Sequence, residues 1–347
     1  MSDANAPRVR LRARHLTRHF TVRASGWRRG ARIVHAVDDV SLDLVEGRVT
    51  AVVGESGSGK SVLARMLARI VTPTSGSLEL DGESIVLGTR RTLDYASRVQ
   101  LVLQDPFASV NPVHQIRHNL ARPLVLHGAR ADQVEALSRE ALARVALEPP
   151  ERFVDRYPHE LSGGQLQRVS IARALCAHPA ILLADEPISM LDVSVRLGVL
   201  NLLRDLCDRE RLAILYITHD IASARYIADD VIVMYAGQVV EQSVGVDLVD
   251  EPRHPYTQLL IASVPDPSAP VGADVAGSDR GATANVAITG CRFRDRCPHA
   301  MAICTTQEPP SCEVAPGHFA KCWLYDDRAD GAVAPGALTR REEATTR

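Results

Sequence analysis

Residues 181–184 (Ile-Leu-Leu-Ala), 214–217 (Ile-Leu-Tyr-Ile) and 231–234 (Val-Ile-Val-Met) are unbroken apolar runs. Such runs suit strands covered on both faces, as in a parallel sheet with helices on each side. Residues 49–53 (Val-Thr-Ala-Val-Val) add another apolar stretch. Elsewhere apolar and polar positions alternate. Arginines separate Val9, Leu11 and Ala13; Ser41 and Asp43 separate Val40, Leu42 and Leu44; Glu79 separates Leu78 and Leu80 ahead of an Asp81-Gly82 turn. Alternation with period two marks a strand with one wet face and predicts an antiparallel β layer beside the main sheet. Residues 115–156 carry helical spacing instead. The predicted fold class is α/β: a mostly parallel sheet, an antiparallel layer and a helical subdomain at about residues 105–175.

The 347 residues suffice for one large domain and a small one, and a net charge of −2 does not mark a nucleic-acid binder. The arginines crowded into residues 1–32 read as the wet face of a strand rather than as a phosphate-binding arm. No apolar run approaches the length that spans a bilayer, and no N-terminal segment resembles a signal peptide, so the expected compartment is the cytosol. Residues 265–288 are rich in Pro, Ala, Gly, Ser and Asp and read as a linker, and residues 326–347 as a fraying tail.

After the apolar stretch 49–53 comes Gly54-Glu55-Ser56-Gly57-Ser58-Gly59-Lys60-Ser61, and then a helix-like segment, residues 62–67. This is the G-x-x-x-x-G-K-[ST] pattern between strand and helix. Its glycines let backbone N–H groups close around phosphate oxygens, and the helix points its positive end at them. Lys60 is placed to reach the β- and γ-phosphates and Ser61 to ligate Mg²⁺. Lys60 is one of only two lysines in an arginine-rich chain, the other being Lys321.

The apolar run 181–184 ends in Asp185-Glu186. Asp185 would hold Mg²⁺ directly or through water, and Glu186 would polarise the attacking water. Leu161-Ser162-Gly163-Gly164-Gln165 opens a further helix, a second anion-binding end. Two such ends serve one triphosphate only if they face each other across a dimer. Here the chain resembles the ATP-binding subunits of ABC transporters, whose signature reads LSGGQ and whose ATP is sandwiched between two subunits.

The resemblance implies further roles, residue by residue. Gln104 matches the glutamine that senses the nucleotide, Asp192 in Ser189-Met190-Leu191-Asp192 the loop that crosses to the partner, and His219 the histidine that contacts the γ-phosphate. Phe20 matches the aromatic that stacks on adenine, with Trp27 the alternative. Residues 104–112 (Gln-Asp-Pro-Phe-Ala-Ser-Val-Asn-Pro), Arg156-Tyr157-Pro158-His159-Glu160 and His254-Pro255-Tyr256-Thr257-Gln258-Leu259-Leu260 are similar to segments of oligopeptide/dipeptide importers, some of which carry nickel, glutathione, sugars or opines. That likeness implies ATP and Mg²⁺ as ligands, two permeases, a second ATPase subunit (a paralogue) and, indirectly, an extracytoplasmic solute-binding protein, with the chain on the cytoplasmic face of the membrane. The alternative is a soluble relative devoted to phosphonate breakdown.

Five of seven cysteines, Cys291, Cys297, Cys304, Cys312 and Cys322, lie near the C-terminus. In a reducing compartment such clustering favours metal over disulfides. The spacing of Cys291, Cys297, Cys304 and Cys322 is similar to that of peptide-importer ATPases, some of which hold a [4Fe–4S] cluster there. Tetrahedral Zn²⁺ on the same sulfurs, or free thiols packing a small module, are the alternatives, and Cys312, His299 and His318 are weaker ligand candidates. Cys176 and Cys207 read as core. The expected division is residues 1–254 for the nucleotide-binding domain, 255–325 for a C-terminal extension with the cysteines, and 326–347 for the tail.

Overall fold

Alternation along the first two strands is realised at Leu11 and Ala13 and at Val40, Leu42 and Leu44, while Val9 is only half-buried and the left-handed His15 and Asp39 (φ +52° and +57°) interrupt the period. In the computed structural model, β1 (Val9–Arg23) and β2 (Ala31–Val45) bury Leu11, Ala13, Leu16, Leu42 and Leu44. The described residues are 8–23, 31–87, 92–245, 247–263 and 288–328. Trp27, residues 265–287 of the expected linker and 329–347 of the expected tail lie outside them. Two compact units are interleaved in sequence. The first gathers the residues up to Leu16, Ser41–Thr50 and Ser61–Thr218; the second gathers Thr17–Val40, Ala51–Lys60 and everything from His219 on.

In the first unit, β2 and β1 continue into β4 (Ser75–Leu80) and β5 (Glu83–Ile85), with Leu78 opposite Ile85 in an antiparallel pair. Arginines on the polar face of β1 find acids: Arg14 forks onto Asp43 at 2.6 and 2.9 Å, and Arg10 reaches Asp81 and Glu46 at 3.0 Å each. The wet face is thus an ion-pair face. β3 (Val49–Val53) leads to α1 (Lys60–Leu67). β6 (Val99–Val102), β7 (Ile181–Asp185) and β8 (Ala213–Thr218) run parallel, with Val99 beside Ile181 and Ile181 beside Ala213, and every residue of β7 and β8 is buried. The Ile214 N–H donates to Arg48 O at 3.0 Å, placing the start of β3 beside β8.

The helical part comprises α2 (Leu93–Arg98), α3 (Pro106–Ser109), α4 (Ile116–Leu126), α5 (Val134–Arg144), α6 (Glu151–Val154), α7 (Gly163–Leu175) and α8 (Val193–Glu210). Its core includes Leu120, Leu124, Leu142, Leu166 and Val169. Arg144 closes it, donating to both Glu210 oxygens at 3.0 and 2.5 Å and to Leu175 O at 3.2 Å. Cys176 and Cys207 are buried there.

The second unit holds α9 (Ile221–Ile227), β9 (Asp230–Tyr235), β10 (Gln238–Val244), α10 (Asp247–Asp250), α11 (Pro255–Ala262), α12 (Ile303–Thr306), β11 (Ser311–Ala315) and β12 (His318–Lys321). Its strands run β11-β12-β10-β9 and then the end of β3. The apolar run 231–234 therefore belongs to a strand with an antiparallel neighbour, Met234 facing Val239. The cysteine-bearing segment adds its own hairpin to the sheet, with Ala320 opposite Glu241, covering the edge that β10 would otherwise expose.

That junction is polar and buried. Glu241, 1% exposed, accepts from Arg253 N at 2.7 Å and His254 N at 2.9 Å, and His318 Nε2 stands 2.7 Å away. His254 caps α11, its Nδ1 accepting from the Tyr256 N–H at 3.0 Å. Burial pushes its ring down from the ordinary 6.5 to about 4. Protons bind the unfolded chain more readily between those values, so this contribution to stability is complete above pH 6.5 and is lost as pH falls toward 4, by about 1.4 kcal/mol per unit. His254→Asn keeps a capping acceptor and is expected to flatten that slope. Thermal melts of both proteins between pH 7 and 5 check this, and parallel curves would contradict it.

Candidate functional site

The loop 54–61 closes on its own lysine. Lys60 Nζ donates to Gly54 O at 2.7 Å and Glu55 O at 2.9 Å, with Ser58 Oγ at 3.5 Å, and the side chain is buried. The Gly237 N–H donates to Ser58 O at 2.9 Å and the Ser58 N–H to Glu55 O at 3.2 Å. Two glycines are obligatory. A Cβ on Gly54 (φ +152°) would stand 2.2 Å from Met234 O, and one on Gly59 (φ +103°) would stand 2.1 Å from Ala36 O. Ser56 and Gly57 complete the turn.

Ser61 and Asp185 fit a magnesium ion. Two adjacent ligands of an octahedral Mg²⁺ with bonds of about 2.1 Å stand about 3.0 Å apart. Ser61 Oγ and Asp185 Oδ1 are 2.8 Å apart, and Asp185 is buried at the end of β7. Glu186 comes next, in an uncommon backbone state: φ is +47°, the left-handed region. Its N–H donates to Ile217 O at 2.9 Å, its carbonyl accepts from Ser189 N and Oγ at 3.2 and 3.0 Å, and its Oε2 accepts from Gln104 Nε2 at 3.0 Å. His219 follows β8 and is exposed.

Ser162 caps α7. Its Oγ accepts from the Gln165 N–H at 3.3 Å, and Gln165 Oε1 accepts from the Ser162 N–H at 3.0 Å, a reciprocal capping box. Ser162 and Gly163 are exposed, while Gly164 is buried with no room for a Cβ, which would meet Val195 Cγ1 at 2.3 Å. Asp192 stands exposed at the start of α8. The Gln104 segment is tied to the same helix: Ser109 and Ser170 hydroxyls are 2.7 Å apart, and Arg173 donates to Ser109 O at 2.8 Å. Phe20 is half-buried on β1, the Arg18 guanidinium carbon 4.6 Å above its ring.

Four of the C-terminal cysteines gather. The Cys291 N–H donates to Cys304 O at 2.8 Å, Cys304 packs with Trp323 and Cys291, and Cys322 feels the charge of Cys291, Cys297 and Cys304. Burial pushes the Cys291 thiol to about 11 and the Cys322 thiol to about 12. Cys312 faces Asp326, Asp327 and Arg328 instead. His318 is engaged by Glu241, which occupies one of the weaker ligand candidates. Among the described residues, His19, His35 and Asp38 bring ligand atoms within 4.8 Å of one another; Asp38 is already paired with Arg292, whose guanidinium supplies the positive charge there.

Periodicity and motif spacing carry no sign of two residues at the phosphate loop. Arg296 donates to both Glu55 oxygens, 2.9 Å each, and the Glu55 N–H donates to Tyr256 Oη at 2.8 Å. An acid inside a phosphate-binding loop was the available signal, since such a charge needs a partner.

A family model described as ABC transporter matches residues 37–189, and one described as the oligopeptide/dipeptide transporter C-terminal region matches residues 240–304. A Brucella ovis protein named as a putative peptide import ATP-binding protein is 41% identical over 317 residues, 90% of this chain and 96% of its own. The oligopeptide transport ATP-binding protein AppF of Bacillus subtilis is 40% identical over 94% of this chain and 100% of its own. Among solved structures, the dimeric post-hydrolysis state of the ATP-binding cassette MJ0796, bound to ADP and phosphate, is similar with a TM-score of 0.59 at 28% identity, over 68% of this chain and 98% of its own.

Proposed function

Because this chain belongs to the ABC transporter ATP-binding subunits of the oligopeptide/dipeptide group, we propose that its ATPase activity powers an importer for peptides or related small solutes. It is an ATPase of that family. The observation that carries the site assignment is the pair of contacts Ser61–Asp185 and Gln104–Glu186.

The roles follow from the chemistry. Backbone groups of Gly54–Ser61 and the Lys60 ammonium bind the phosphates. Ser61 and Asp185 would hold Mg²⁺, which when bound neutralises charge on the β- and γ-phosphates. Glu186, oriented by Gln104 and Ser189, takes the proton of the attacking water; His219 contacts the γ-phosphate; Phe20 stacks on adenine. The Ser162-Gly163-Gly164 end of α7, exposed at Ser162 and Gly163, serves the nucleotide of a partner subunit, with Asp192 at that interface. Solvent-exposed Phe107 and Val113, close to Gln104 in sequence, suit a short permease helix, and the Ser109–Ser170 contact links that segment to the signature helix. ATP drives closure because it makes its second set of contacts only in the closed pair.

No described helix is long and apolar enough to cross a membrane, which suits a subunit that docks on permeases from the cytoplasmic face. The partners we assign are two permeases, a paralogous second ATPase subunit and, indirectly, a solute-binding protein, with no nucleic acid. The domains we assign are residues 1–254, 255–325 and 326–347. Cys291, Cys297, Cys304 and Cys322 would hold a [4Fe–4S] cluster. The phosphonate-breakdown alternative is not favoured, since the relatives are named for peptide transport.

Purified full-length protein is expected to convert MgATP to ADP and phosphate, and Lys60→Ala to lose both nucleotide binding and turnover. A Lys60→Ala variant that binds MgATP like the wild type would sink the phosphate-loop assignment.

A further inference from the structure

Glu55 places a negative charge inside a loop that binds a polyanion. Each of its polar groups is engaged. Its carbonyl accepts from Lys60 Nζ, its N–H donates to Tyr256 Oη, and its carboxylate takes a two-bonded fork from Arg296 with both contacts at 2.9 Å. A fork of this kind fixes direction as well as charge. Arg296 is held in turn: its guanidinium carbon lies 5.8 Å from the Tyr235 ring and 5.7 Å from the Phe293 ring. Arg292 anchors the same segment by bonding Asp38 and Ala236 O. The pairing spans 241 positions of sequence and joins the residue before Cys297 to the second residue of the phosphate loop.

We infer that Arg296 is a positioning residue of the ATP site: it neutralises and fixes Glu55, so that the cysteine-bearing extension sets the affinity of the phosphate loop for nucleotide. Without Arg296, an unpaired carboxylate on the loop repels the triphosphate. Lys60 Nζ then competes for it, because the ammonium already bonds the Glu55 carbonyl. This rests on reading residues 54–61 as the phosphate loop.

The test is MgATP titration of the full-length chain in a Glu186→Gln background, where ATP is not consumed, together with steady-state kinetics in the native background. Arg296→Gln is expected to weaken MgATP binding about tenfold, within the usual coupling of contacting charged pairs, and to raise KM while kcat stays within about twofold. Adding Glu55→Gln to Arg296→Gln is expected to return affinity to within about threefold of the starting protein, because the repelling charge is gone. Arg296→Lys, which keeps the charge and loses the fork, is expected to fall between. The Arg296→Gln defect should also shrink at high salt. Unchanged affinity in Arg296→Gln, or a double variant no better than the single one, would overturn the inference, since a merely structural arginine is not rescued by removing its partner's charge. Lys60→Ala separates the two claims. Loss of binding there with an unaffected Arg296→Gln rejects only the role of Arg296, while normal binding there rejects the phosphate loop and this inference with it. A poorly folding Arg296→Gln is read through Arg296→Lys, where a loss smaller than tenfold supports neutralisation and a full tenfold loss rejects it.

Discussion

Glu186→Gln is expected to lower ATP turnover by at least about a hundredfold while MgATP still binds, the usual loss when a positioned general base is removed. The substitution keeps the shape, so Gln104 Nε2 retains an acceptor and the Ser189 contacts to the backbone carbonyl persist. What disappears is the basic oxygen. The backbone offers an independent check. At φ +47° a non-glycine residue costs roughly 1–2 kcal/mol relative to its preferred regions. Glu186→Gly is therefore expected to be as inactive as Glu186→Gln yet to melt higher, stability having been given up for function at this position. Single-turnover hydrolysis and thermal melts of the three proteins decide it. Wild-type turnover by Glu186→Gln in the assembled transporter would remove Glu186 from the reaction.

Glu241→Ala is expected to destabilise the fold by about 3–5 kcal/mol, more than His254→Asn or Arg296→Gln, because it removes one partner from a buried, hydrogen-bonded charged group. Two backbone N–H groups, of Arg253 and His254, lose their acceptor in a place water does not reach, and His318 loses its partner across the β10–β12 pair. The damage should spread. His254 caps α11, α11 carries Tyr256, and the Tyr256 hydroxyl accepts the N–H of Glu55. Denaturant melts measure the first effect and MgATP titration the second. A melt within about 1 kcal/mol of the wild type, well below the usual cost of orphaning such a group, would show that this cluster does not hold the extension in place.

The sequence carries these features unequally. Short-range signals were readable: the loop 54–61, the acids closing β7, the helix start at Leu161-Ser162-Gly163-Gly164-Gln165 and the alternation at the start of β1 each lie within a few residues and have a fixed period or spacing. Five cysteines crowd the C-terminus; Cys291, Cys297, Cys304 and Cys322, the four singled out by family resemblance, gather, while Cys312 does not. The antiparallel partner of β9 was hidden, because a fully apolar run says only that both faces are covered. Glu241 reads as an ordinary strand acid, its burial created by residues 12 and 77 positions away. The positive φ of Glu186 is not signalled by its own residue type; its backbone there bonds Ile217 and Ser189. Arg296 and Tyr256 reach the phosphate loop only through tertiary contact, so no local pattern reveals them.

Arg296 of the C-terminal segment holds Glu55 of the loop 54–61, an acid and a glutamine are held together at the end of β7, and Ser162 and Gly163 stand exposed at the start of α7, where the proposed function places a partner's nucleotide. Such a chain works in company. Recovering the tagged full-length chain from detergent-solubilised membranes, with mass spectrometry of what co-purifies, tests this most directly. Two permeases and a second ATPase subunit are the predicted companions, and an accompanying solute-binding protein would point to the solute. Soluble phosphonate-processing enzymes with no permease would contradict the importer while leaving the ATPase chemistry intact.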